Sequence, residues 1–88
     1  MKKTVIKFWA GYCGPCSVYA PAFEQVKQEL QSDQIEFVEV NVEQDPEGLA
    51  GEYKVRGIPH TVVLEQGAEL RSKSGRLAVE ELREFILN

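Results

Sequence analysis

Cysteine and histidine are scarce in this 88-residue chain, with two of the first and one of the second. A zinc site takes about four ligands, so these three side chains would need carboxylates to complete one. The two cysteines have only two residues between them, and a bridge across them closes a very short loop. Such a bridge restrains little of the unfolded chain, unlike the bridges that hold small secreted domains together. Basic residues are outnumbered, ten against fourteen acidic, for a formal charge of −4. The electrostatic attraction behind non-specific nucleic-acid and anionic-membrane binding is therefore missing, and neither partner is expected. Repeats, low-complexity tracts and a nucleotide-binding fingerprint are all absent. Met1-Lys2-Lys3 leads into a short apolar stretch broken by Lys7, with no small-residue cleavage site. It reads as neither a secretory signal nor a membrane span, and a cytoplasmic location is expected, although a trimmed exported protein would look the same. With 43% apolar and 27% charged residues, residues 1–88 suit one globular domain that buries roughly 60 to 65% of its unfolded surface.

What the chain does have is Trp9-Ala10-Gly11-Tyr12-Cys13-Gly14-Pro15-Cys16, which places both cysteines between an apolar run and a helical pattern. A strand that ends in a tight turn would deliver Cys13 to a helix N-terminus, where free N–H groups and the helix dipole favour negative charge. Thiolate is the nucleophile in disulfide exchange, and Cys16 stands one helical turn further on, within reach of its partner. In a β-α-β setting this spacing points to reversible dithiol chemistry.

The rest of the chain supplies that setting. Thr4 to Trp9 is β-branched and aromatic, as expected for a central strand covered on both faces. From Cys13 or Gly14 to about Gln31, Val18, Tyr19, Phe23, Val26 and Leu30 follow the helical period, with Pro15 in the first turn. Pro21 predicts a kink near Tyr19 to Pro21 rather than a stop. Ile35 to Val42 alternates as a second strand. Asp45-Pro46 opens a short helix to about Tyr53, with Asp45 as its cap and Pro46 at its first position. Thr61 to Glu65 and Ala68 to Lys73 flank Gln66-Gly67 as an antiparallel hairpin, the glycine supplying positive φ. A last helix starts near Ala78 and presents Val79, Leu82, Phe85 and Ile86 on one face. The order β-α-β-α-β-β-α opens with a parallel pair joined by a right-handed crossover and predicts a four-stranded mixed sheet flanked by three helices, an α/β fold. The cysteine pair then lies at the carboxyl end of the first strand, the general place for sites in such sheets.

Phe8-Trp9-Ala10 leading into Cys13-Gly14-Pro15-Cys16, Ala20-Pro21, Val40-Asn41-Val42, Gly57-Ile58-Pro59 and Gly75 together resemble the thioredoxin family. The likeness covers nearly the whole chain. Family members normally begin with an additional strand and helix, so the expected architecture is the minimal thioredoxin fold. The resemblance implies that Cys13 is the exposed attacking thiol and Cys16 the more buried resolving one. It also implies a cis bond at Ile58-Pro59, although only about 5 to 6% of X–Pro bonds are cis and the residues alone favour trans. Such a proline exposes the backbone of Ile58 for extended pairing with a substrate peptide and leaves no N–H at position 59. Trp9 is expected to pack under the motif. Gly57 and Gly75 either let a substrate backbone approach closely or simply form turns.

Several positions depart from the family pattern. An aspartate six residues before the attacking cysteine, paired with a lysine on the adjacent strand, is usual there; this chain has Lys7 and Glu39. If both face the space under Cys16, Lys7 favours its thiolate and Glu39 accepts its proton, directly or through water. If both snorkel to solvent, they form a surface pair of little weight. Tyr12 replaces a usual tryptophan as an aromatic contact beside Cys13. His60 follows the proline; an exposed histidine at a strand start is the plain expectation, whereas near the sulfurs its charge would tune them. Ser17 removes a positive charge from the helix start and makes the thiol less acidic.

The activity implied is protein disulfide reduction by a monomer that binds no cofactor or metal. Its electrons come from a separate donor, an NADPH-dependent flavoprotein of the thioredoxin reductase kind, and its substrates are proteins with disulfides. Two other readings remain: a glutaredoxin-like enzyme recycled by glutathione, suggested by the short length, and a docking module that uses the surface around Tyr12, Ile58 and Gly75 without turnover.

Overall fold

Val5, Ile6 and Phe8 cannot all be covered from one side, because successive strand residues face opposite ways, and the fold answers by placing helices on both faces of the sheet. The computed structural model describes residues 2–88; Met1, which belongs to the leader reading, lies outside the described residues. The elements are β1 (Lys3–Trp9), α1 (Gly14–Leu30), β2 (Ile35–Asn41), α2 (Leu49–Glu52), β3 (His60–Glu65), β4 (Ala68–Ser74) and α3 (Val79–Leu87). They form one four-stranded sheet in the order β2-β1-β3-β4. Strand β1 runs parallel to β2 and antiparallel to β3, which pairs antiparallel with β4. The mixed sheet with three helices agrees with the expected α/β architecture.

One face of the sheet carries Val5 and Val63, covered by Tyr19, Phe23 and Val26 of α1 and by Leu82 and Ile86 of α3. The other carries Ile6, Phe8, Val40, Val62 and Leu64, against which Leu49, Ala50 and Tyr53 pack. Burying a side chain such as Phe23, fully enclosed here, is worth about 1.5 to 3 kcal/mol. Helix α1 runs through Pro21 as one element.

Helix α2 is shorter than Asp45-Pro46 suggests. It begins only at Leu49, after Gly48 in the left-handed region at φ 68°. Residues 45–48 instead form a turn closed by the Gly48 N–H donating to the Asp45 carbonyl at 3.0 Å. Asp45 still caps the helix, from further back: its carboxylate oxygens accept from the Leu49 and Ala50 N–H groups, both at 2.9 Å. The hairpin at Gln66-Gly67 has positive φ at both residues, 53° and 84°, the geometry whose twist suits a two-residue connection. Helix α3 overcomes its poor Ala78 cap because Glu81 reaches back and accepts from the Ala78 N–H at 2.9 Å.

Candidate active site

Strand β1 ends at Trp9, and the turn that follows hands Cys13 to α1 as its N-cap, with Pro15 in the first helical turn, where a missing N–H costs nothing. The Cys13 sulfur accepts a hydrogen bond from the Cys16 backbone N–H at 3.1 Å, so one unsatisfied donor of the helix end is aimed at sulfur. That donor and the helix dipole favour a negative charge on Cys13 once the bridge opens. Cys13 and Cys16 are joined as a disulfide, their Cα atoms 5.2 Å apart. Among the described residues, no cluster of three or more His, Cys, Asp and Glu side chains is placed to hold a metal ion.

The contrast expected between an exposed Cys13 and a buried Cys16 is slight in this bridged state. Both are buried, 6% and 4% exposed, because Trp9, Val42 and Ile58 pack around Ala10 and the two cysteines. Trp9 thus lies against the motif, whereas Tyr12 stands out from it, 74% exposed. Tyr12 forms one wall of a groove of about 190 Å³ whose other wall includes Arg56, Gly57 and Ile58. The Ile58-Pro59 bond is cis, and the Ile58 carbonyl oxygen lies 3.7 Å from the Cys13 sulfur. The next carbonyl, that of Pro59, accepts from the Gly75 N–H at 2.8 Å. Gly75 has φ 97°, backbone that a side chain rarely tolerates; Gly57 has open space beside it and no such demand.

Lys7 and Glu39 are register partners on β1 and β2, and both point to the face covered by α1. Lys7 is buried, its Nζ 3.3 Å from Glu39 Oε1 and 4.8 Å from the centre of the Phe23 ring. Lys27 approaches Glu39 from α1 at 4.0 Å. Lys7, Glu39, Trp9 and Cys16 line one cavity of about 290 Å³, together with Ser17. The structure therefore brings both side chains to the space beside Cys16.

His60 departs from the plain expectation. It is buried, 7% exposed, because at the start of β3 its ring turns inward beside Phe8. Its Nδ1 is bonded to Ser74 Oγ at 2.8 Å, while Nε2 is buried with no partner among the described residues. Burial holds its pKa below the usual histidine value, with Glu69 opposing. None of these contacts is to sulfur. No motif singles out Arg56 or Ser74 in the sequence; each directly precedes a glycine of the site, Gly57 or Gly75.

The chain matches the thioredoxin family over residues 1–88. It is 35% identical over 85 residues to a thioredoxin of Mycoplasmoides gallisepticum, covering 97% of this chain and 82% of that one. Against a thioredoxin of Bacillus subtilis the identity is 37% over 79 residues, covering 90% and 74%. The crystal structure of Fasciola hepatica thioredoxin superposes with a TM-score of 0.85 at 35% identity, covering 98% of this chain and 79% of that one. A disulfide at a helix N-terminus, a cis-proline beside it and a family match over residues 1–88 place this chain in the thioredoxin family of thiol-disulfide oxidoreductases.

Proposed function

We propose that this oxidoreductase works as a reductant of protein disulfides, with Cys13 as attacking and Cys16 as resolving thiol. The observation that carries the reading is the Cys16 N–H aimed at the Cys13 sulfur from 3.1 Å. In the reduced protein, Cys13 thiolate attacks one sulfur of a substrate disulfide and releases the other as thiolate, leaving a mixed disulfide. Cys16 then loses its proton and attacks the Cys13 sulfur, which re-forms the bridge and frees the second substrate thiol. Two electrons and two protons have passed to the substrate. Thioredoxin-family proteins receive electrons from a reductase and pass them to disulfide-containing proteins; here the donor we infer is an NADPH-dependent flavoprotein.

Pro59 and its neighbours hold the substrate in this scheme. The Ile58 carbonyl lies 3.7 Å from the Cys13 sulfur, and in this reading an extended substrate segment lies along residues 57 to 59 as an added strand. Trp9 supports the motif from below, Tyr12 supplies an aromatic wall, and Gly57 and Gly75 leave room for the visiting backbone. Glu39 takes the Cys16 proton, and Lys7 steadies the charge that results. The cavity they share has volume for several waters, each needing about 30 Å³, so the proton need not pass by direct contact. The chain acts as one domain, a monomer in the cytoplasm; no described helix is long and apolar enough to cross a membrane.

Insulin cleavage by dithiothreitol is the test: the wild-type chain should accelerate it, Cys13→Ser should not, and Cys16→Ser should accumulate a mixed disulfide visible by mass. Inert cysteines in the wild type would end this reading. For the proton path, the pH dependence of Cys16 alkylation should shift in Glu39→Gln and Lys7→Met, and no shift in either removes both residues from the scheme.

A further inference from the structure

Ten basic residues serve a chain of net charge −4, and the structure divides them sharply. Lys2, Lys7, Lys27 and Arg83 are in ion pairs. Lys3 donates to the Ile86 carbonyl, and Arg71 to the carbonyls of Phe85 and Asn88. Four remain, Lys54, Arg56, Lys73 and Arg76; among the described residues none has an ion pair or a side-chain hydrogen bond, and all four are exposed. They are not scattered. Lys54 and Arg56 immediately precede Gly57-Ile58-Pro59, and Lys73 and Arg76 enclose Ser74-Gly75.

Those two segments meet at the disulfide. The Gly75 N–H bonds the Pro59 carbonyl, Thr61 pairs with Lys73 across β3 and β4, and Arg56 shares a groove with Tyr12. Across residues 9–17, 54–60 and 73–78 there are four basic and no acidic side chains, while the rest of the chain has six basic and fourteen acidic. The charge of −4 is thus +4 in these three segments set against −8 in the rest of the chain, from which Glu39 reaches the cavity beside Cys16 together with Lys7 and Glu69 acts on His60. One carboxylate shares the setting of Arg76: Glu81 lines the same cavity, but it is engaged by the Ala78 N–H.

Ion pairing elsewhere shows that this chain can satisfy its cations internally, and these four are left for something else. We propose that this cationic rim selects substrate segments in which the reactive cysteine is flanked by aspartate or glutamate. This inference rests on the disulfide-reductase reading and names its substrate class. A segment laid along residues 57 to 59 has Arg56 in the groove formed with Gly57 and Ile58 and Arg76 next to Gly75, whose N–H bonds the Pro59 carbonyl, so acidic side chains at neighbouring positions come within range of these cations. Complementary charge of this kind acts mainly on the rate of encounter, and it weakens with salt. The acidic remainder of the surface repels acidic partners from every other approach, which makes the rim directional.

The test uses three synthetic peptides, each with one disulfide, whose cysteines are flanked by Asp/Glu, Asn/Gln or Lys. The reduced wild-type chain is mixed with each, and the second-order rate of reduction is followed by tryptophan fluorescence. The acidic peptide should react roughly tenfold faster than the neutral one at low salt, the lysine peptide slowest, and the spread should shrink by 0.5 M salt. Arg56→Gln should lower the acidic-to-neutral ratio about threefold and the Lys54→Gln/Arg56→Gln/Lys73→Gln/Arg76→Gln variant should abolish it. Lys2→Gln, an equal change of net charge at the far end of β1, should leave the ratio intact. Equal rates for the three peptides, or an equal effect of Lys2→Gln and Arg56→Gln, would each overturn the rim while insulin cleavage persists. Loss of insulin and peptide reduction together would overturn the reductase reading and this inference with it.

Discussion

Lys7 Nζ stands 3.3 Å from Glu39 Oε1 at the level of the disulfide, so a buried ammonium depends on one carboxylate and on the face of Phe23, 4.8 Å away. The two partners are unequal. Lys7 has a side chain only 6% exposed, while that of Glu39 is 38% exposed and has Lys27 as a second neighbour.

That inequality predicts which half of the pair matters more for stability. Glu39→Gln leaves a buried charge facing a neutral amide and the Phe23 ring and should cost about 1 to 3 kcal/mol, less than a fully enclosed pair because water screens the carboxylate. Lys7→Met removes the buried charge itself and keeps a similar volume, so it should fall within about 1 kcal/mol of wild type. Urea unfolding of both variants at pH 7 gives the comparison, and a costlier Lys7→Met would contradict it.

His60 predicts a loss of stability on the acid side. Its folded pKa lies below the ordinary value of 6.5 because burial disfavours the imidazolium. As pH falls below about 6.5, the unfolded chain takes up a proton that the folded chain resists, so stability drops until the folded pKa is reached. The physical obstacle is Nε2, which would carry an enclosed N–H with no acceptor among the described residues. Urea midpoints at pH 7.5 and 5.5 should differ less in His60→Asn than in wild type, and Glu69→Gln should widen the gap, since Glu69 favours the charged form.

Tyr19 predicts the matching loss on the alkaline side. Its hydroxyl shares a 2.7 Å hydrogen bond with Thr61 Oγ1, and burial pushes its pKa from 10.0 up to about 12. Above pH 10 the unfolded tyrosine ionises and the folded one does not, so up to about 2 to 3 kcal/mol is lost as pH climbs toward 12. Tyr19→Phe should cost about 1 to 2 kcal/mol at pH 7 by orphaning the Thr61 hydroxyl, yet lose less between pH 10 and 12. The pKa of Tyr53 is raised as well, by burial and then by Glu52 and Glu69, so the alkaline loss shrinks without vanishing. Denaturant melts across that range would show it.

Periodicity and turn chemistry made most of this fold legible. Val5, Ile6 and Phe8 announce a strand buried on both sides, Gln66-Gly67 announces a hairpin, and the resemblance supplied the cis bond that Ile58-Pro59 alone argues against. Asp45-Pro46 is ambiguous in sequence because proline at a helix's first position and proline in a tight turn look alike; the left-handed Gly48 decides between them. The burial of His60 is not legible in sequence because its partner, Ser74, is fourteen residues away and meets it through the β3–β4 register. The cationic rim has no periodicity at all. It exists only once residues 54–57 and 73–76 are folded together.

Strand β4 ends the sheet, and almost all of it faces water. Its pairing with β3 slips by one residue between Val63 and Leu64, with Arg71 opposite the first and Glu69 opposite the second, so Leu70 has no partner across the ladder. Such a margin, if flat and apolar, would recruit neighbouring molecules into a growing fibre. The bulge bends it, and Glu69, Arg71 and Lys73 set ionic side chains along it, so stacking a second copy would mean stripping water from charge. Resistance to self-templated aggregation is thus built into one of the two outer strands of the sheet.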